Sequence, residues 1–243
     1  MLFFLSFESS FSSHFCFGRY LDNLLESRIM AFASQMNHQS KIQKMTKNDD
    51  HMRKTIISND QNCQKYVLMA IEEYLNALSL GQKHIFQALP RLLTLWFDFT
   101  SIEVEEDIKN SNDDLAKETK IKSQKLLDSQ FEANKIVHSF FKNIPAVSFY
   151  TAMPQLISNL WHMDSNTSGL VANILKRVLT KFPSQAMWSL GYLRHSMYKN
   201  RRDIGEKIFQ GAEGNLRRNE QMKMHDILVE SKSLFLFLIN LAK

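Results

Sequence analysis

Glycine, proline and cysteine are all scarce in this sequence: seven, four and two among 243 residues. So little glycine and proline excludes a turn-rich β-sandwich or a low-complexity linker and leaves helix as the default. Cys16 and Cys63 are too few for a disulfide framework or a CxxC metal site, and reduced intracellular thiols are the simplest reading. No apolar run approaches the ~20 residues that span a bilayer, so no membrane is expected. The Gly-rich phosphate loops are missing too. Gly205, Gly211 and Gly214 have the wrong spacing for GxGxxG and follow no strand, and there is no GxxxxGKS/T, GxSxG or HExxH. The apolar start lacks a positive n-region and carries Glu8, which argues against a signal peptide. Residues 1–13 are read as an artefactual or disordered start.

What is present is charge of both signs and helical periodicity. The net charge of +5 is uneven. Thirteen Lys/Arg stand against seven Asp/Glu from residue 164 onward, and seventeen against eighteen before it. A basic C-terminal part suits an acidic partner or simply a solvated helix face.

Along the chain, residues 15–33 read as a helix with Phe17, Tyr20, Leu21, Leu24 and Leu25 on one side. Residues 34–64 are polar, either a loop or the exposed part of a long helix. From Lys65, the spacing of Val67, Ile71, Tyr74, Leu75 and Leu78 predicts a helix that stops at Gly81. Ile85, Phe86, Leu89, Leu92, Leu93, Trp96 and Phe97 form the next stripe, with Pro90 as a kink or first-turn proline. Residues 103–128 hold eight acidic and five basic residues; they are expected to be a charged loop running into a solvated helix that ends near Phe140.

Pro145 then opens a helix interrupted at Pro154, with Leu156, Ile157, Leu160 and Trp161 on its apolar face. After a turn at 165–168, Leu170, Val171, Ile174, Leu175, Val178, Leu179 and Phe182 form a wide stripe. Pro183 starts the next helix, packed through Ala186, Met187, Leu190 and Leu193, and a last long helical region runs from about 201 to 240, weakened near Gly211 and Gly214. Helix pairs this small hide their apolar faces only by stacking on neighbours. The fold class is therefore all-α, an irregular α-solenoid of stacked helix pairs. Phe86, Trp96, Trp161 and Trp188 are expected to be core residues.

Two segments imitate kinase motifs. Asp98-Phe99-Thr100 lacks the glycine of DFG, and His162-Met163-Asp164-Ser165-Asn166 lacks the phosphate loop and strand lysine that a kinase requires. Both read as helix-terminal polar residues. His138 and His162 have no partnering ligands nearby in sequence, and no catalytic, cofactor-binding or metal-binding residue is assigned. Arg194, Lys199, Arg201 and Arg202 surround Tyr198 as a possible basic contact patch. Solubilising surface is the plainer alternative to a nucleic-acid site there.

Three segments carry a family resemblance. In GQKHIFQALPRLLTLWFDF (81–99), the relevant residues are Phe86, Pro90, Arg91, Leu95 and Trp96. IPAVSFYTAMPQLISNLWH (144–162) contributes Pro145, Phe149 and Gln155-Leu156-Ile157. FPSQAMWSLGYLRHSMYKNRR (182–202) contributes Pro183, Gln185, Ala186, Met187 and Trp188. Together they resemble the FAT region of phosphatidylinositol-3-kinase-related kinases, and the ATR-type checkpoint kinases most of all. The resemblance covers roughly residues 14–240, strongly only at 81–99 and 144–202, with no family pattern in 103–143; residues 14–243 are taken as a partial FAT helical region. It implies a HEAT/TPR-like scaffold that clasps a kinase domain absent from this chain, as in a fragment or a truncated gene model. ATP and a divalent metal ion would then belong to that kinase domain alone. The implied partners are the kinase domain and a regulatory subunit, and the implied location is the nucleus. The alternative is a kinase-less helical-repeat interaction module. Direct nucleic-acid binding is not expected.

Overall fold

The computed structural model describes residues 2–39, 49–103, 114–214 and 218–241, and among them it contains helices and no strand. It is all-α, with sequential helices packed on one another as in a solenoid. The helices fall into two compact units, 1–144 and 145–243.

The first unit is built around α3. Its helices are α1 (Leu2–Gln39), α2 (Asp49–Asn59), α3 (Gln61–Leu80), α4 (Ile85–Thr100) and α5 (Asp114–Phe140). α3 packs against the other four, because apolar side chains surround it: Cys63, Val67, Ala70, Ile71, Tyr74, Leu75, Ala77 and Leu78 are all buried. Asp60 caps its N-terminus by accepting a hydrogen bond from the Asn62 amide at 3.1 Å. Buried Gln64 answers the end of α2, donating to the Ile57 and Ser58 carbonyls at 3.1 and 3.0 Å.

Several expectations change here. α1 begins at Leu2, so the described part of 1–13 is helical rather than disordered, and Phe11 is buried against His84. The inward stripe of α1 is Phe11, Phe15, Leu21, Leu25 and Ile29. Phe17 and Tyr20 project outward and stack on each other, since residues three apart share one helix face. Within 34–64, α1 continues to Gln39, α2 fills 49–59, and 40–48 lie outside the described residues. Residues 114–128 are helix, not loop: Lys, Glu, Gln and Leu favour helix, Gln124 bonds Asp128 one turn on, and Leu126 anchors the helix inward. Residues 104–113 of the expected loop lie outside the described residues. Pro90 sits inside α4, where burial of Leu89, Leu92 and Leu93 offsets its lost backbone bond.

The second unit holds α6 (Ala146–Thr151), α7 (Met153–Ser158), α8 (Ser165–Lys181), α9 (Pro183–Arg194), α10 (Lys199–Glu213) and α11 (Arg218–Leu241). The break between α6 and α7 falls at Ala152, and Pro154 occupies the first turn of α7. Residues 165–168 form the first turn of α8 rather than a separate turn. Asp164 starts it, its carboxylate accepting from the Asn166 and Thr167 amides. α8 buries Val171, Ile174, Leu175, Val178 and Leu179, while α9 buries Ala186, Met187, Leu190 and Leu193. α10 crosses both closely. At Gly205 an added Cβ would lie 2.9 Å from Leu193 Cβ, which is why a glycine stands at that crossing.

Candidate functional site

Trp96 is fully buried, and its indole N–H donates to the Asn134 side-chain carbonyl at 2.8 Å, joining α4 to α5. Phe86 is 77% exposed and Trp188 65% exposed, so neither belongs to the core. Each sits one step off its helix's buried stripe, beside Ile85 and Met187 respectively. Trp161 lies in the turn after α7, half-buried. Its ring nitrogen is shielded from solvent, without a hydrogen-bond partner among the described residues.

Sequence reading missed a polar clamp in the first unit. The Arg91 guanidinium grips Asp22 through two hydrogen bonds of 2.7 and 2.6 Å, and reaches Glu26 at 3.0 Å. Glu26 also accepts from Arg53 at 2.6 Å. Thus α1, α2 and α4 are tied by alternating charges, with bidentate geometry at the centre. Burial pushes Tyr74 up to about 12, helped by the Asp22 carboxylate nearby. Burial alone would raise Glu26, yet Arg53 and Arg91 hold it below the ordinary carboxylate range. A second clamp joins Arg28 to Asp60, the same carboxylate that caps α3 and accepts from the Cys63 thiol. Burial, then the Asp60 carboxylate, pushes Cys63 up to about 12, which makes it a poor nucleophile. The legible signals were Asp22 and Glu26 one turn apart and Asp60 directly before a helix.

The basic patch divides in the second unit. Arg194 bonds Glu206 at 2.9 and 3.4 Å and lies over the Phe209 ring. Arg201 sits between two rings, 4.8 Å from the Trp161 centroid and 5.1 Å from that of Tyr198. Arg202 donates to the Ser196 and Met197 carbonyls at 2.7 and 2.9 Å, closing the α9–α10 turn. Three of the four charges therefore brace the fold, and Lys199 is exposed. Around them Trp188, Tyr192, Met197 and Tyr198 present exposed apolar surface. Asp98 lies in the last turn of α4, and Asp164 is the α8 cap. Among the described residues no group of three or more His, Cys, Asp or Glu side chains could hold a metal ion, and no helix is long and apolar enough to cross a membrane.

Residues 18–94 match the FAT domain family, and residues 132–234 match the family described as "Serine/threonine-protein kinase ATR-like, HEAT repeats". The serine/threonine-protein kinase ATR of Arabidopsis thaliana is 33% identical over 169 residues, which is 70% of this chain and 6% of that protein. This chain is homologous to the helical region of ATR-type kinases. The ATR-like segment is also 27% identical to the serine/threonine-protein kinase MEC1 of Candida albicans over 154 residues, 63% of this chain and 6% of that protein. It is 27% identical over 128 residues to protein kinase rad3 of Schizosaccharomyces pombe, covering 51% of this chain and 5% of the yeast protein. The ATR-like segment thus spans roughly one-twentieth of the length of these curated relatives. No solved structure matches it.

Proposed function

We propose that this chain is a helical scaffold segment of an ATR-like serine/threonine kinase of the DNA-damage checkpoint, acting in the nucleus by clasping and regulating a kinase domain. The observation that carries the reading is the tandem order of the two matched families, FAT then ATR-like HEAT repeats, across most of one chain whose relatives are named kinases. The physics agrees with a structural role. Strong charges brace helices to one another, as at Arg91 and Arg194. ATP and its metal ion would be held by the kinase domain, with phosphoryl transfer carried out there. The second unit's exposed aromatics offer contact surface for the kinase domain or a regulatory subunit.

The test is a chimera in which this segment replaces the matching 169 residues of the Arabidopsis kinase. Damage-induced phosphorylation should be retained, and it should be lost when Trp96→Ala collapses the first unit. A chimera that folds and localises but carries no regulated kinase activity would refute the clasp and leave an interaction module.

A further inference from the structure

A cavity of about 190 Å³ opens between α9, α10 and α11 within the second unit. Its polar wall is Arg194, His195, Glu206, Ser231 and Lys232, and Phe235 forms the apolar side. We propose that this cavity binds a phosphoryl oxyanion, with Lys232 and His195 as its donors and Arg194 at its edge.

The charge balance leads there. Glu206 is the one carboxylate in the lining. Its oxygens already accept from Arg194 at 2.9 and 3.4 Å and from Gln210 at 3.1 Å, so the Arg194 charge neutralises it in place. Lys232 makes no ion pair among the described residues, and it is exposed at the cavity. His195 packs against Phe235 with ring centroids 5.8 Å apart and is thereby held at the cavity wall. Burial, then Arg194 and Lys232, keep the His195 imidazole below its usual value. The groups facing it are Arg194 on α9, Glu206 on α10, and Ser231 and Lys232 on α11. A bound dianion would reverse that balance and favour the imidazolium. The volume is below the roughly 300–1,000 Å³ of pockets that hold drug-sized ligands. A single phosphoryl group fits it. Gly191 lets the Phe235 ring pack against α9, since a Cβ there would overlap that ring.

Titration of the full chain with inorganic phosphate at constant ionic strength tests this, followed by calorimetry and by the His195 imidazole resonance, assigned with His195→Gln. The expected result is one saturable site and an upward move of the His195 titration midpoint. Lys232→Met should weaken phosphate about tenfold with an unchanged melting temperature, because Lys232 is exposed. Non-saturable heats, a stationary His195 midpoint, or equal affinity in Lys232→Met would overturn the proposal. A phosphoserine peptide binding more tightly than inorganic phosphate identifies a phosphorylated chain as the source; equal binding identifies the free anion.

Discussion

Asn134→Ala offers a sharp test of how the first unit is held. Asn134 is 6% exposed, and its side-chain carbonyl accepts the Trp96 indole N–H at 2.8 Å, with Trp96 itself at 0%. Removing the acceptor leaves a buried donor unpaired, which costs about 1–3 kcal/mol. Trp96→Phe removes the donor and part of a ring, costing about 1–3 kcal/mol through lost burial and the lost hydrogen bond to Asn134. The double variant loses the same hydrogen bond only once. The two single effects should therefore exceed the double effect by about 1 kcal/mol. Urea titration by circular dichroism gives the overall change. Native-state hydrogen exchange localises it, since the slowest amides of α3 and α4 should lose the corresponding protection. Additivity within about 0.3–0.5 kcal/mol would mean that the two groups are energetically independent, and the α4–α5 bond would then not hold the unit together.

Other outcomes follow from the same geometry. Trp188→Ala and Phe86→Ala should each change stability by less than about 0.5 kcal/mol on thermal melting, as exposed side chains do. Gly205→Ala gains helix propensity but drives its Cβ to 2.9 Å from Leu193 Cβ and 3.3 Å from the Leu193 carbonyl carbon; a net loss of about 1–3 kcal/mol is expected by urea titration. In thiol titration, Cys16 should react in the native protein while Cys63 reacts only on unfolding. Acid should destabilise the first unit. Burial opposes the charged forms of Asp60 and Glu26, but Arg28 and Cys63 at the first, and Arg53 and Arg91 at the second, hold both below their ordinary values of 3.8 and 4.5. Their contribution is complete above those values and is lost as pH falls through the lower folded ones. The urea midpoint should drop in that window, and less steeply in Arg53→Met.

The long stripes were readable because apolar side chains recur there at the helical period. α3 and α9 bury the residues expected of them, α8 buries its stripe except Leu170 and Phe182, which are half-buried, and Pro154 interrupts its helix as the proline rule requires. Single aromatics were not readable. Phe86 and Trp188 each adjoin the true stripe by one position, and one position is about 100° of rotation, enough to turn a ring into solvent. The charged stretch at 114–128 hid its helix because few large apolar residues mark it, although its composition favours helix. The clamps needed three dimensions: Asp22 and Arg91 are 69 positions apart, and no local pattern pairs them. The basic cluster was visible as charge, but its bonds to Glu206, to two backbone carbonyls and to two aromatic rings were not.

The elbow at Ala152 has a mechanical consequence. α6 and α7 are six residues each, well below the length at which a helix sustains itself in water. Their ends close through short-range bonds such as Ser148 to Pro145 at 3.0 Å and Asn159 to Leu156 at 3.2 Å. Flanking rods such as α8 resist bending along their whole hydrogen-bonded length; this pair does not. Under tension or torque the second unit should yield there first, the bend falling at Ala152 between two helices of under two turns each.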